Sequence, residues 1–156
     1  MSVDGAEMGE PQARRPRLEG YGAPTSPEGM LPWSWAEERL AAAHNYWVAT
    51  SGPHASPVWA VWRDRGLVFS CSPHSRKARE LGRDPWIVVH LESGAEVVIV
   101  EGTAQRVEPD DGLMAVYSAK YGATDPGIGD WFRVTPRRVL AWTETGYPAD
   151  ATRWDL

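Results

Sequence analysis

What this chain can fold into is limited first by a succession of short apolar runs, rich in β-branched and aromatic residues and each ended by turn chemistry. Tyr46-Trp47-Val48-Ala49-Thr50 stops at Gly52-Pro53, and Val58-Trp59-Ala60-Val61-Trp62 stops at Asp64-Arg65-Gly66. Leu67 to Cys71 follows directly. Trp86 to Leu91 and the long Glu96 to Val107 are joined by Ser93-Gly94-Ala95, and Arg138 to Trp142 is the last such run. Helical patterning is confined to three places. One helix opens at Ser34, where Ser34 and Glu37 have capping-box spacing, and runs to about His44. A short one opens after Ser75. A third covers residues 110–121, with Leu113, Met114, Val116, Tyr117 and Tyr121 as its apolar set. Many short strands and few helices predict a mainly β, α+β domain closed as a barrel.

The 156 residues suffice for one domain with a real core. Residues 1 to about 30 are rich in Pro, Gly, Glu and Arg without apolar periodicity, so they are expected to form a disordered tail, with the domain over 31–156. A net charge of −5 argues against a nucleic-acid partner. No apolar stretch approaches the ~20 residues that span a bilayer, and the first residues lack a charged-then-apolar signal. The single Cys71 fits a reducing compartment. A cytoplasmic protein without membrane partners is the expectation.

Within this frame one helix start carries the wrong charges. Ser75 is placed as N-cap, and the next two residues are Arg76 and Lys77. A helix N-terminus carries partial positive charge, so each exposed cation there costs roughly 0.3–1 kcal/mol, which a bound anion reverses. Lysine occurs only twice in the chain, at 77 and 120. A Ser hydroxyl, free N–H groups, a guanidinium and an ammonium converging on one point make a phosphate site. A solvated helix whose first turn happens to be basic is the plain alternative. Arg76, Arg79 and Arg83 form a basic stripe that is either an exposed face or a groove for an anionic tail.

Other chemistries have little support. His44, His54, His74 and His90 share no metal-ligand spacing, so no metal site is expected. Gly-x-Ser-x-Gly, Walker and dinucleotide Gly-x-Gly-x-x-Gly patterns do not occur. Cys71 at a strand end reads as a structural thiol more readily than as a nucleophile. Trp59 and Trp62 are core or interface residues, or their strand edges along a flat aromatic ligand.

The run Val68-Phe69-Ser70-Cys71-Ser72-Pro73-His74-Ser75-Arg76-Lys77-Ala78-Arg79-Glu80-Leu81-Gly82-Arg83-Asp84-Pro85 resembles the flavin-phosphate motif of the pyridoxamine 5'-phosphate oxidase-like split β-barrel family. Val100 to Gln105 is similar to that family's long fifth strand, and Pro136 to Trp142 with Ala151 to Trp154 is similar to actinobacterial flavin/deazaflavin oxidoreductases. The resemblance covers roughly residues 31–156 and implies a six-stranded, FMN-binding split barrel with two or three helices. It implies that Arg76 and Lys77 hold a cofactor phosphate with Ser75 assisting, and that Ser70 and Cys71 touch the phosphate or ribityl chain. It also places Trp59, Ala60, Val61 and Trp62 along the cofactor ring, in a homodimer with the cofactor at the subunit interface. One departure stands out. Trp131-Phe132-Arg133-Val134-Thr135-Pro136-Arg137-Arg138 replaces the Arg-Leu-His-Asp-Arg pattern by which true pyridoxamine phosphate oxidases bind substrate, so vitamin B6 oxidation is not expected.

The function implied is an oxidoreductase that moves a hydride between a reduced cofactor and a small conjugated substrate. Deazaflavin coenzyme F420 is the first choice and FMN the second. The alternative is a non-catalytic binding or storage protein for a flavin, deazaflavin or haem-like ligand. Catalytic residues are not identified by the sequence; Tyr46, His74 and Tyr117 are the candidate proton donors.

Overall fold

The structure is a computed structural model and describes residues 9–122 and 129–156. In chain order the described elements are β1 (Ala13–Arg14), α1 (Trp33–Ala42), β2 (Tyr46–Thr50), β3 (His54–Val58), β4 (Ala60–Arg63) and β5 (Gly66–Cys71). There follow α2 (Arg76–Leu81), β6 (Trp86–His90), β7 (Glu96–Val107), α3 (Asp111–Tyr121), β8 (Asp130–Thr143) and β9 (Thr152–Asp155). Every strand pairing among them is antiparallel.

The barrel closes through a circuit of pairings. β2 pairs with β3 and with β6, β6 with β7, β7 with β8, β8 with β5, and β5 with β4. Only Trp59 separates β3 from β4, so these two act as one bent strand and the circuit has six members. The expected split barrel is therefore observed.

β8 makes closure possible by serving two partners in addition to β7. Its first half pairs with β5 (Leu67↔Val134 to Cys71↔Asp130) and its second with β9 (Arg138↔Asp155 to Ala141↔Thr152). The change falls at a register shift, where Glu101 faces Arg138 but Gly102 faces Pro136. Such a bulge bends its strand. Gly102 is needed there, because a side chain would run into the Thr135 carbonyl oxygen.

Inward residues of β2 and β5–β8 join Trp33, Ala36 and Leu40 of α1 and Trp154 of β9 in the main core. A second cluster of Val61, Val68, Leu113, Tyr117 and Trp131 lies under α3. β5 is thus covered on both faces, which accounts for its unbroken apolar run Leu67-Val68-Phe69.

Several expectations are corrected. α1 has Pro32 as N-cap with no side-chain capping bond, so Ser34 is inside the helix and the Ser34–Glu37 box does not form. The helix starts early enough to bury Trp33. The strand expected over Val58 to Trp62 is divided at Trp59, and pairing extends back to His54, with Pro57 at the end of the main strand order, where a missing N–H is tolerated. β8 begins at Asp130, eight residues before the expected start, because Trp131, Phe132 and Val134 are buried.

Residues 9–30, expected as part of a disordered tail, are docked. β1 pairs with β9 (Ala13↔Trp154, Arg14↔Arg153), and Leu31 N–H donates to Thr152 Oγ1 at 2.8 Å. The boundary drawn at residue 31 therefore leaves out a paired segment. The arm is held by polar backbone partners, a kind of contact that apolar periodicity does not register. The rest of that expectation, residues 1–8, lies outside the described residues.

Candidate functional site

β5 delivers Ser70 and Cys71 to the rim of the barrel, and after four intervening residues α2 begins. Ser75 is its N-cap: the hydroxyl oxygen accepts from Ala78 N–H at 3.3 Å, and the hydroxyl also interacts with Cys71. Burial pushes the Cys71 thiol up, while the Ser75 hydroxyl and the Lys77 ammonium beside it pull the other way. Cys71, Ser75 and Lys77 thus lie in one neighbourhood, which Asp130 also shares. Among the described residues Lys77 has no carboxylate partner.

Arg76 turns away from that point. Its Nε donates to Glu80 Oε2 at 3.2 Å and its Nη2 to the Pro53 carbonyl at 3.3 Å. Glu80 is buried, and its other oxygen accepts from Thr50 Oγ1 at 3.1 Å. Burial disfavours the ionised form, but the Thr50 hydroxyl, the Arg76 guanidinium and the Gly52 N–H outweigh it and hold the carboxyl below its ordinary value. Gly52 must lack a side chain, which would collide with this carboxylate. The Glu80 contact escaped the sequence reading, although Arg76 and Glu80 stand four apart on a helix, the spacing at which opposite charges meet.

The Trp59–Trp62 segment divides. Ala60 pairs with Phe69, which brings Trp59 level with Ser70. Trp59 is exposed and stacks on Tyr121 with centroids 4.6 Å apart and planes 6° from parallel. Val61 is buried under α3. Trp62 faces α1, its ring 6.4 Å from Trp33 and its Nε1 donating to Glu37 at 3.4 Å. The backbone of Ala60 is already engaged: its N–H donates to Tyr121 Oη at 3.0 Å, and its carbonyl accepts from Lys120 Nζ at 3.0 Å. Trp59 alone of these four side chains is exposed beside the rim.

The proton-donor candidates also separate. Tyr46 is fully buried, its hydroxyl donating to the Leu40 carbonyl and accepting from Lys120 Nζ at 2.8 Å. Tyr117 is buried in the α3 cluster, whereas His74 is exposed on the turn before α2. Lys120 and Tyr121 were not singled out as functional; no periodicity marks them as the residues that bind the edge of β4.

A cleft of about 480 Å³ lies beside α2, lined by Pro73, Ala78, Gln105, Arg106, Asp130 and Phe132 among others. Arg106 donates to Asp130 across it at 2.9 Å. Arg79 and Arg83 are exposed. A second hollow of about 500 Å³ lies on the outer face of β2, β6, β7 and β8, with Trp86, Glu101 and Arg138 on its walls. Apolar residues dominate that face, including half-buried Trp47, Val88, Val97, Ile99, Leu140 and Trp142. Among the described residues no helix is long and apolar enough to cross a membrane.

Known proteins share this architecture. A conserved hypothetical protein from Mycobacterium tuberculosis superposes with a TM-score of 0.66 at 21% identity, covering 79% of this chain and 92% of that one. A FAD-binding protein from Mesorhizobium loti gives 0.59 at 18% identity, with 79% and 94% covered. A haem storage protein from Vibrio cholerae gives 0.53 at 17% identity, with 64% and 86% covered. No curated protein sequence matches the chain. The sequence pattern of the pyridoxamine 5'-phosphate oxidase family matches residues 35–143, the span from α1 to the end of β8, and the chain belongs to that family.

Proposed function

We propose that the chain binds a phosphate-bearing flavin or deazaflavin at the β5–α2 junction and serves as an oxidoreductase for a small conjugated substrate in the cytoplasm. The observation that carries this reading is the Ser75 N-cap beyond the end of β5, close to Cys71, with Lys77, which has no carboxylate partner among the described residues, in the turn of helix that follows. The chemistry there fits a phosphate: an ammonium and a hydroxyl at a strand end form a donor set for an anion. Trp59, exposed level with Ser70 and backed by Tyr121, offers a ring face beside it.

When bound, the cofactor supplies the hydride chemistry; the protein's part is to hold the ring and exclude water. Ser75 and Lys77 hold the phosphate, with Ser70 and Cys71 against it or the ribityl chain. Arg76 acts at one remove, through Glu80 and the β2–β3 turn. With Tyr46 and Tyr117 committed inside the fold, His74 or solvent delivers the proton. The apolar outer face of β2, β6, β7 and β8 supports a homodimer, since an antiparallel sheet facing water would alternate apolar and polar residues.

The deazaflavin coenzyme F420 is preferred over FMN, because Arg79 and Arg83 extend the basic surface toward an anionic tail that FMN lacks. A binding or storage role is the second reading. What favours it is the burial of two of the three candidate proton donors, together with likeness to a protein described as storing haem. Titration with FMN and with the deazaflavin coenzyme, followed by tryptophan fluorescence, tests the first step. No quenching by either ligand overturns the proposal. Binding without reduction of any conjugated substrate by the reduced complex leaves the storage reading standing.

A further inference from the structure

Arg76 and Lys77 are neighbours in sequence, yet their charges are spent differently. Arg76 is paired with Glu80 at 3.2 Å, and Glu80 is fixed by Thr50 Oγ1 at 3.1 Å and by the Gly52 N–H. On the other side, Arg106 is paired with Asp130 at 2.9 Å, and Asp130 stands opposite Cys71 in the β5–β8 ladder. The two ion pairs are each neutral. Among the described residues Lys77 has no ion-pair partner and its charge acts on Cys71, while Arg79 and Arg83 sit at exposed positions where water screens them.

We propose that Glu80 sets the charge of this site and thereby selects a singly charged phosphodiester over a doubly charged phosphomonoester. The inference rests on the reading that the β5–α2 junction takes the cofactor phosphate. A diester carries one negative charge, which Lys77 matches. A monoester carries nearly two above its second pKa of about 6, and the second charge then meets a cation already committed to Glu80. FMN is such a monoester. The phosphate of the deazaflavin coenzyme is a diester. Glu80 touches no ligand in this account; it is a positioning residue that acts through Arg76.

Glu80→Gln keeps the shape of the side chain and its bond from Thr50 while releasing Arg76. The experiment measures dissociation constants at pH 8 for FMN, for its methyl phosphodiester and for riboflavin, by fluorescence, with wild type and variant. FMN and its methyl ester share ring and ribityl chain, so their ratio is insensitive to general damage to the fold. The wild type should favour the diester, and Glu80→Gln should shift the ratio toward FMN by about five- to tenfold, the effect of removing one unit charge several ångströms away in a partly screened site. A ratio unchanged by Glu80→Gln overturns the inference.

Arg76→Gln supplies the opposite sign, and serves also if Glu80→Gln fails to fold. It leaves Glu80 unneutralised, so the ratio should move further toward the diester; movement toward FMN overturns the inference. Riboflavin separates the two levels of the argument. Wild-type protein that binds riboflavin as tightly as FMN has no phosphate site, and the underlying reading falls whatever Glu80 does.

Discussion

Lys120 Nζ stands 2.8 Å from the Tyr46 hydroxyl and 3.0 Å from the Ala60 carbonyl, tying the end of α3 to β2 and β4 at once. It also reaches the Ala41 carbonyl at 3.5 Å, near the end of α1. One ammonium thus serves three elements, and burial pushes its pKa down from 10.5 to about 8.

That shift has a definite sign. Between these two values the folded protein binds fewer protons at Lys120 than the unfolded chain, so stability rises with pH through the window. Relative to Lys120→Met, the wild type should gain unfolding free energy between pH 8 and 9.5, measured by urea titration. Tyr46, Tyr117 and Tyr121 are held above the ordinary tyrosine value by burial, so the window stays below the range where they ionise. A constant or shrinking difference would mean that the ammonium is hydrated in the fold.

The N-terminal arm hangs on Arg15. Its guanidinium donates to the carbonyls of Ser26 (2.8 Å), Ala149 (2.6 Å) and Ala151 (3.1 Å), and also to that of Glu28. Hydrogen bonds from a charged donor are worth about 1.5–3 kcal/mol each when well buried, and these are partly exposed. Arg15→Ala should therefore cost about 1–3 kcal/mol in all, read from the urea midpoint at constant slope. Removing residues 1–17 should cost at least as much, since β1 goes with it. A truncated protein of wild-type stability would show that the arm contributes no net free energy.

Gly102 offers a test of the barrel itself. A methyl group there meets the Thr135 carbonyl oxygen at the bulge where β8 changes partner. Gly102→Ala should lower stability by about 2 kcal/mol or more, at the upper end for overpacking, because backbone must move. Gly94, in the β6–β7 turn, has open space around its Cα. Gly94→Ala is therefore the control and should be near neutral.

How much of this was legible beforehand depended on how local each cause is. Ser75 was readable as a cap because its bond spans three residues, and β7 was readable because Val97-Val98-Ile99-Val100 is an unbroken β-branched run. β9 was not: a four-residue strand owes its existence to β8 and β1, which lie far away in sequence. Trp59 and Trp62 share one strand reading, yet positions three apart on a strand point to opposite sides, and one faces α3 and the other α1. The Arg15 carbonyl hub left no trace in apolar patterning.

At the anion site the two adjacent cations should part company. Lys77→Ala removes the cation beside Cys71 and Ser75, and should weaken FMN binding by about 1.5–3 kcal/mol, the size of a lost charge-assisted hydrogen bond. Its effect on stability should be small. Arg76→Ala should lower stability, because Glu80 stays buried without its partner. Equal loss of binding in both, with stability unchanged in both, would put Arg76 on the phosphate directly.

The choice between cofactors turns on the exposed cations beyond Lys77. If Arg79 and Arg83 line the path of an oligoglutamate tail, replacing both with Gln should weaken the deazaflavin coenzyme and spare FMN. Exposed ion pairs contribute ~0.2–1 kcal/mol each, so the double change should cost at most roughly a factor of thirty. Salt separates this effect from structural damage, since exposed charges are screened beyond ~10 Å at 0.1 M ionic strength. The loss should shrink as salt is raised. A salt-independent loss for both ligands would instead mean that α2 is damaged, and with it the Ser75 cap that both ligands need. Identical binding of both ligands by wild type and variant would leave the stripe as a solvated face, and would favour FMN.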